Sequence, residues 1–374
     1  MRAPAIHLVA VSLIGLSGCL PPMPPAREPA LVVAAGPLRT LPSAQAGAGS
    51  LLLVLRAGSA YDPPGREGLA LVLAHAVAAR AGVSADVEAE LVRFHIPEGR
   101  AAAFAVSLVD AVDEAAMAVG RAAARPGTGC AALARDGARA WGLAGHPYGH
   151  RAEGRSSVLS TLTAGEAQAF RQLRYVRDAA VLVVGPGADA TPLLQVLPPT
   201  LSRSVTPAVK VAAGRERMTV AGAVSVACEA WVVGSPEDWG ASDEAALAVV
   251  ARIAGDPLPH RRVDSAWVLS ALPDAEALSA GLAWARAEVL AELAAQPGAL
   301  HAADVLLGPL RGGRYSPAPA LADALRALDA ETLVLWADSL RTTAPRLRLI
   351  PESAVIGLES GVEPRVHSVE ELLR

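Results

Sequence analysis

The strongest constraint on the fold is a local pattern that occurs twice along the chain. Leu162 to Glu166 opens a predicted helix with a capping sequence, and the buried strand Val181 to Pro186 follows that helix. The same order of cap, helix and strand returns at Leu328 to Glu331 and Leu347 to Pro351. The spacing of about 165 residues is far longer than the roughly 20 to 50 residues of a solenoid repeat. The pattern therefore predicts a duplicated domain.

Apolar periodicity predicts that each domain mixes helices with strands. Leu51 to Leu55 is a continuous apolar run with the length of a buried strand, whereas Gly68 to Ala81, Ala101 to Ala123 and Cys130 to Leu143 have helical character. The chain is 52% hydrophobic but only 3% aromatic, so Ala, Leu and Val must build its cores. Because helices and strands do not alternate strictly, we expect an α+β fold with helices packed on one face of each sheet.

The N-terminus resembles a bacterial lipoprotein signal. Arg2 precedes the mainly apolar run Leu8 to Leu16, which is too short to span a bilayer. Leu16-Ser17-Gly18-Cys19 is similar to a lipobox, in which the Cys becomes the lipidated N-terminus of the mature protein. We therefore interpret Cys19 as the lipidation site. The alternative is an ordinary signal peptide that contains an incidental cysteine.

Composition and length divide the chain into five segments. A Pro-rich stretch follows Cys19, and a second stretch with three prolines and little periodicity separates two parts of domain size. We assign 1–18 to a lipoprotein signal peptide, 19–48 to a Pro-rich tether, 49–195 to the N-terminal domain, 196–214 to a linker and 215–374 to the C-terminal domain.

Charge and cysteine content limit the partners and the cellular compartment. The net charge is −4 and no basic run is present, which argues against nucleic acid as a partner. We expect contact with the membrane through the N-terminal lipid. Leu20 differs from the Asp that commonly retains lipoproteins in an inner membrane, so we expect a cell-envelope protein in the outer membrane, facing the periplasm. There, Cys130 and Cys228 can form a disulfide or remain two buried thiols.

Three segments in fixed order resemble one family. Gly58-Ser-Ala-Tyr-Asp-Pro-Pro-Gly-Arg-Glu-Gly-Leu69, then His146-Pro-Tyr-Gly149, then a helix and a strand that ends Val183-Val-Gly185 are similar to a half of an M16 (insulinase or pitrilysin-like) zinc peptidase. The resemblance covers nearly all of residues 49–351. It implies two homologous α+β domains that face each other across a chamber, each a mainly antiparallel sheet with helices on one face.

The resemblance also implies a zinc motif, and this chain departs from it. In the family, the helix after the Gly-Leu pair carries His-x-x-Glu-His, and here Leu71 and Ala74 replace the first His and the Glu. Only His75 matches. The third family ligand is a Glu on a later helix, yet no acidic residue lies between Glu114 and Asp136. A catalytic zinc site requires about three protein ligands. We therefore expect no catalytic residues, no metal and no cofactor.

Other residues could in principle restore a site. The other available histidines are His95, His146, His150, His260 and His301, and none forms a ligand-spaced pair with a carboxylate in the sequence. Pro147 and Gly149 place His146 and His150 in a turn rather than on one helix face. Some M16 enzymes work as pairs in which a subunit without zinc grips the substrate with an Arg and a Tyr. Arg262 falls near that place, so it is a weak candidate for substrate contact, and a surface arginine is the alternative.

Together these features predict a non-catalytic M16 peptidase-like lipoprotein. Its expected role is partner or scaffold of an active M16 zinc peptidase subunit. One alternative is a zinc metalloendopeptidase with non-standard ligands, in which case zinc would be the cofactor. The other alternative is a peptide-binding envelope module that needs no peptidase.

Overall fold

The fold is described from a computed structural model of the chain. The structure describes residues 38–43, 48–124, 129–143, 146–150, 152–199, 217–222, 224–234, 239–256, 266–295, 302–303, 305–307, 316 and 318–351.

Within the described residues, the first half of the chain forms a five-stranded sheet in the order β1-β5-β2-β4-β3. Strand β1 is parallel to β5, and the other neighbours are antiparallel. Strands β2 and β5 consist of apolar residues, as expected for strands with both faces covered. The strands are β1 (Arg39–Pro42), β2 (Leu51–Leu55), β3 (Ser84–Val87), β4 (Val92–Ile96) and β5 (Ala180–Val184).

The part of the second half that the structure describes repeats this topology in a four-stranded sheet, with the order β6-β9-β7-β8. As in the first sheet, the strand that comes first in the sequence is parallel to the one that comes last, here β6 and β9. Strand β7 is antiparallel to both of its neighbours, β8 and β9. Each sheet is thus mainly antiparallel, which confirms the expected α+β class. The strands are β6 (Arg217–Gly222), β7 (Cys228–Gly234), β8 (Ala266–Leu269) and β9 (Arg346–Pro351).

Strand β1 lies inside the segment 19–48 that the sequence assigns to a tether. Its residues pair with β5 from Arg39 opposite Val181 to Pro42 opposite Val184, and Leu38 beside it is buried. Pro42 is compatible with this position because it ends a short edge strand. The tether assignment is therefore too long at its C-terminal end, and the sheet begins at residue 39.

Helices cover the sheets, and one predicted helix is divided. The segment Ala101 to Ala123 breaks before Asp113, whose carboxylate accepts a hydrogen bond from the Ala116 N–H at 2.7 Å and starts a new helix. The helices are α1 (Leu69–Ala81), α2 (Ala101–Val109), α3 (Glu114–Ala123), α4 (Cys130–Gly142), α5 (Ser156–Leu159), α6 (Ala164–Arg174), α7 (Ala241–Ile253), α8 (Ala275–Ala295), α9 (Ala318–Ala327) and α10 (Ala330–Thr343). Within the described residues, no helix is long and apolar enough to cross a membrane.

The two halves exchange helices. Helix α4 belongs to the first half but packs on β7 and β9, where Ala134 and Ala138 join a core with Val232 and Leu349. In return, helical residues within 302–307 pack on the first sheet. Each sheet therefore has its own helices on one face and a helix of the other half on the opposite face. The expectation that helices cover one face only is incomplete, because the central strands are apolar on both sides.

A disulfide joins the exchanged helix to the second sheet. Cys130 at the start of α4 is bonded to Cys228 at the start of β7, with 6.1 Å between their Cα atoms. This decides between the two states that the sequence left open for these cysteines. The bond links the two halves covalently.

Candidate functional site

Helix α1 carries the remnant of the expected zinc motif, and most of that helix lies in the core. The side chain of Ala74 is completely buried, and Leu71 is buried within the same apolar cluster. His75 is only partly buried, and burial lowers its pKa, although the nearby Asp86 acts in the opposite direction. Since Leu71 and Ala74 carry no atoms that bind a metal, the residues of α1 do not fit the zinc arrangement of the family.

Helix α3 packs across α1 and does not provide the missing carboxylate. A Cβ atom on Gly120 would lie 2.1 Å from the Val72 carbonyl oxygen, so the two helices are in backbone contact there. Glu114 begins α3, where its carboxylate accepts hydrogen bonds from the Ala164 N–H and from Arg121, each at 3.0 Å. These contacts hold the pKa of Glu114 below its usual value, with the Ala164 bond as the main cause. The Glu114 carboxylate therefore binds a backbone N–H group at the start of α6.

Two side chains of types that can bind a metal, His95 and Asp86, lie together near His75, and the sequence did not predict this pair. His95 Nε2 lies 2.9 Å from Asp86 Oδ2 on the exposed side of the β3–β4 hairpin. The register of the β3–β4 hairpin sets Asp86 opposite Arg93, and this brings Asp86 close to His95 two residues further along β4. Recognition of the hairpin in the sequence would have revealed the pair. Among the described residues, however, no group of three or more His, Cys, Asp or Glu side chains is placed to hold a metal ion.

The His146-Pro-Tyr-Gly149 segment forms a buried turn. The Tyr148 N–H donates to His146 Nδ1 at 3.1 Å, and the Tyr148 hydroxyl donates to the carboxylate of Glu90, which is itself buried. His146 therefore caps a turn, as the sequence interpretation proposed. Two other site residues, Cys19 and Arg262, lie outside the described residues.

The structure contains a cleft of about 550 Å³ that the sequence did not reveal. It lies between the segment that leads into α1 and one side of α6. Its walls are mainly apolar, and most of the charged groups lie along α6 and the facing loop. The lining residues include Tyr61, Asp62, Arg66, Leu69, Phe170 and Arg174.

Asp62 shapes one wall of this cleft. Its two carboxyl oxygens accept hydrogen bonds from the backbone N–H groups of Gly68 and Ala70, both at 2.7 Å, and so tie the loop to the start of α1. Gly68 has a φ of +95°, which favours glycine. Burial is the largest influence and raises the pKa of Asp62 to about 8, against the opposing effect of the two N–H groups.

The charged groups of α6 stand in different environments. Arg66 and Glu166 form an ion pair across the cleft, and Glu166 also completes the capping box with Thr163. The Arg174 guanidinium carbon instead lies 4.6 Å from the centroid of the Tyr61 ring. Within the described residues, no oxygen accepts a hydrogen bond from Arg174, and its Nε atom is buried. Arg174 is therefore a cation held against an aromatic face without a carboxylate partner.

Solved structures with similar folds include M16 peptidases. The chain is similar to the inactive peptidase M16 domain from Pseudomonas fluorescens, with a TM-score of 0.58 and 12% identity over 83% of this chain and 94% of that chain. A protease from Helicobacter pylori gives a TM-score of 0.60 and 15% identity over 86% and 99% of the two chains. The first half of the periplasmic protease PqqL from Escherichia coli gives a TM-score of 0.52 and 13% identity, over 92% of this chain and 96% of that chain.

These similarities establish an M16-like fold and confirm the resemblance at that level. No protein-family model and no curated protein matches the sequence. The identities are low, so the shared architecture carries the assignment.

Proposed function

We propose that the chain is a non-catalytic M16-like protein, held in the cell envelope by a lipid on Cys19, that acts as partner or scaffold of an active M16 zinc peptidase. The observation that supports this most directly is the burial of Leu71 and Ala74 in the core of the first half. The fold is intact, whereas the helix face that would bind zinc is used for packing.

Burial at these positions is a stronger argument than substitution alone. A site that had only lost its ligands would retain space for a metal and a water molecule. Ala74 instead has no exposed surface, and Met117 and Gly120 of α3 are buried nearby on the helix that crosses α1. A carboxylate at position 74 would be buried away from water at a large cost in free energy. The apolar packing of α1 is therefore part of the stability of this fold.

The same features support a partner role. A chain with the M16 architecture but without a metal site can contribute to peptide cleavage only if another subunit supplies the zinc. One fold relative, from Pseudomonas fluorescens, is named as an inactive M16 domain. PqqL, another fold relative, is periplasmic, which agrees with the proposed envelope location.

One observation favours the enzyme alternative. His75 lies near Asp86, and Asp86 contacts His95, so two histidines and one carboxylate occupy the same region of the hairpin and α1. A metal-dependent hydrolase would need these groups, or others, to converge on one ion. This arrangement defines the competing hypothesis that an experiment must exclude.

Metal content and peptide cleavage, measured on one sample, test the proposal. The soluble region from about residue 30 onward should contain less than about a tenth of an equivalent of zinc and should not cleave peptides. It should also co-purify with a zinc-bearing M16 paralogue that is co-expressed with it. Near-stoichiometric zinc, together with cleavage that a chelator abolishes and that His75→Ala and His95→Ala remove, would establish the enzyme alternative instead.

The lipid anchor requires a separate measurement. Cells that express the full chain should incorporate labelled fatty acid into it, and globomycin should block its processing. Cys19→Ala should remove the label. A wild type that takes up no label, or a Cys19→Ala variant that still takes it up, would refute the anchor without affecting the argument about α1.

A further inference from the structure

We infer that the cleft between α6 and the segment before α1 binds an apolar group that carries a carboxylate, such as the C-terminal residue of a peptide. This inference goes beyond the proposed partner role and does not depend on it. It rests on the shape of the cleft, on the distribution of charge around it and on a comparison between the two halves of the chain.

The size and the walls of the cleft suit a small apolar group. Its volume of about 550 Å³ lies within the roughly 300 to 1,000 Å³ range of small-molecule sites. Leu69 and Phe170 form a buried wall, whereas Leu173 is 52% exposed beside them. An apolar side chain placed in the cleft would remove Leu173 from water, and this burial favours binding.

One cation that lines the cleft can accept an anionic partner. Both acidic residues that line it are engaged, because Asp62 accepts the N–H groups at the start of α1 and Glu166 pairs with Arg66. Burial is the main cause that lowers the pKa of the Arg174 guanidinium, and the nearby positive charge of Arg56 lowers this pKa further. Two arginines and two acidic residues line the cleft, but among the described residues Arg174 has no carboxylate partner, so its partly desolvated guanidinium is available to an anion.

A carboxylate is the natural complement of such a group. Arginine donors form paired, charge-assisted hydrogen bonds with planar carboxylates, and these bonds are stronger where water is excluded. The ring of Tyr61 covers one face of the Arg174 guanidinium and so restricts its orientation. A ligand that combines a carboxylate with an apolar body would satisfy both the cation and the apolar wall.

The second half of the chain provides an internal comparison. Helices α6 and α10 begin at equivalent caps, Thr163 and Asp329, and each precedes the last strand of its sheet. In this register, Phe170 corresponds to Trp336. Trp336 packs against Trp239, with ring centroids 5.7 Å apart, and its indole N–H donates to Asp243 at 3.2 Å.

The same register places Arg174 at the position of Leu340. Leu340 is 8% exposed and belongs to the core of the second half. The two halves have the same architecture, so packing alone is compatible with leucine at this position. The first half instead has an arginine without a carboxylate partner beside a cleft. This difference between equivalent positions indicates binding rather than structural support.

Ligand-observed NMR on the full chain, purified in detergent, tests the inference. N-acetyl-phenylalanine should bind at least about tenfold more tightly than its amide, because only the acid satisfies Arg174. Acetate and inorganic phosphate should bind more weakly than N-acetyl-phenylalanine, since neither fills the apolar part of the cleft. Acid and amide of equal affinity, or phosphate that binds as tightly as the acid, would overturn the inference.

A matched pair of variants locates the effect. Arg174→Leu introduces the residue of the second half and should weaken binding of the acid at least about tenfold while leaving binding of the amide unchanged. Arg80→Leu removes the same charge from the last turn of α1 and should have no effect on either ligand. If Arg174→Leu binds the acid as the wild type does, the cleft is not the site. The comparison of acid with amide on the wild type needs no variant, so poor folding of Arg174→Leu would not prevent the test.

Discussion

Placing a glutamate at Ala74 tests whether the former motif position now belongs to the core. Ala74→Glu restores the residue type that the M16 family has there, but the Ala74 side chain has no exposed surface in this chain. Enlarging a packed core typically costs about 1–3 kcal/mol, and an unpaired buried charge typically costs about 3–5 kcal/mol. Protonation of the new carboxyl relieves part of the second cost, so we expect the free energy of unfolding to fall by about 3–5 kcal/mol in total.

Ala79→Glu is the matched control for this change. Ala79 lies on the same helix but is exposed, so the same substitution should change stability by less than about 0.5 kcal/mol. Both variants would be compared by urea denaturation followed by circular dichroism, with and without added zinc. If Ala74→Glu is no less stable than Ala79→Glu, or if zinc stabilises it strongly, position 74 faces a usable metal site and the argument for a packed helix face is wrong.

Three further predictions concern stability. Replacing Cys130 and Cys228 with Ser should destabilise the fold by about 2–5 kcal/mol, because their disulfide closes a separation of 98 residues. A reductant should remove the difference in melting temperature between the wild type and this variant. Equal melting temperatures without reductant would refute this prediction. Asp62→Ala leaves two buried N–H donors unpaired and should cost about 2 kcal/mol, whereas the exposed control Asp189→Ala should cost less than about 0.5 kcal/mol. Contacts with Thr163 and Arg66 hold the pKa of Glu166 below its usual value, so its contribution is present above about pH 4.5 and is lost as pH falls through the lower folded pKa. Thermal melting from pH 7 to 3 should show a loss below about 1 kcal/mol that Glu166→Gln lacks, and identical pH profiles would contradict this reasoning.

Local sequence signals were sufficient for most helices and for the central strands. The apolar run Leu51–Leu55 forms β2 with the predicted bounds, and the capping box at Thr163 starts α6 as expected. These features depend on neighbouring residues, so periodicity and capping chemistry can reveal them. The edge strand Arg39–Pro42 has no such periodicity, because it is short and pairs with only one neighbour. Its place in the sheet depends on β5, which is distant in sequence.

The contacts that the sequence did not reveal are long-range. Helix α4 and the described residues 302, 303 and 305–307 each cover the sheet of the other half, and no local pattern indicates such an exchange. The cleft likewise depends on the approach of Tyr61 to Arg174, which lie on different elements. In the sequence, Arg174 resembles any basic residue in the last turn of a helix. Only its contacts show that it has no carboxylate partner among the described residues.

Comparison of the two halves suggests where a functional difference between them persists. In the 13-residue helices α1 and α7, Ala74 and Ala246 occupy the same position, and both are buried in the core of their half. At this position the two halves therefore carry the same buried residue, as expected if this helix face packs in the core and does not bind a metal. At the end of α6 the halves differ, because Arg174 stands where α10 has a buried leucine. Loss of zinc chemistry would relax α1 but would not by itself place an unpaired arginine on α6. The arginine is thus better explained by a ligand that the first half still binds than by decay of the metal site.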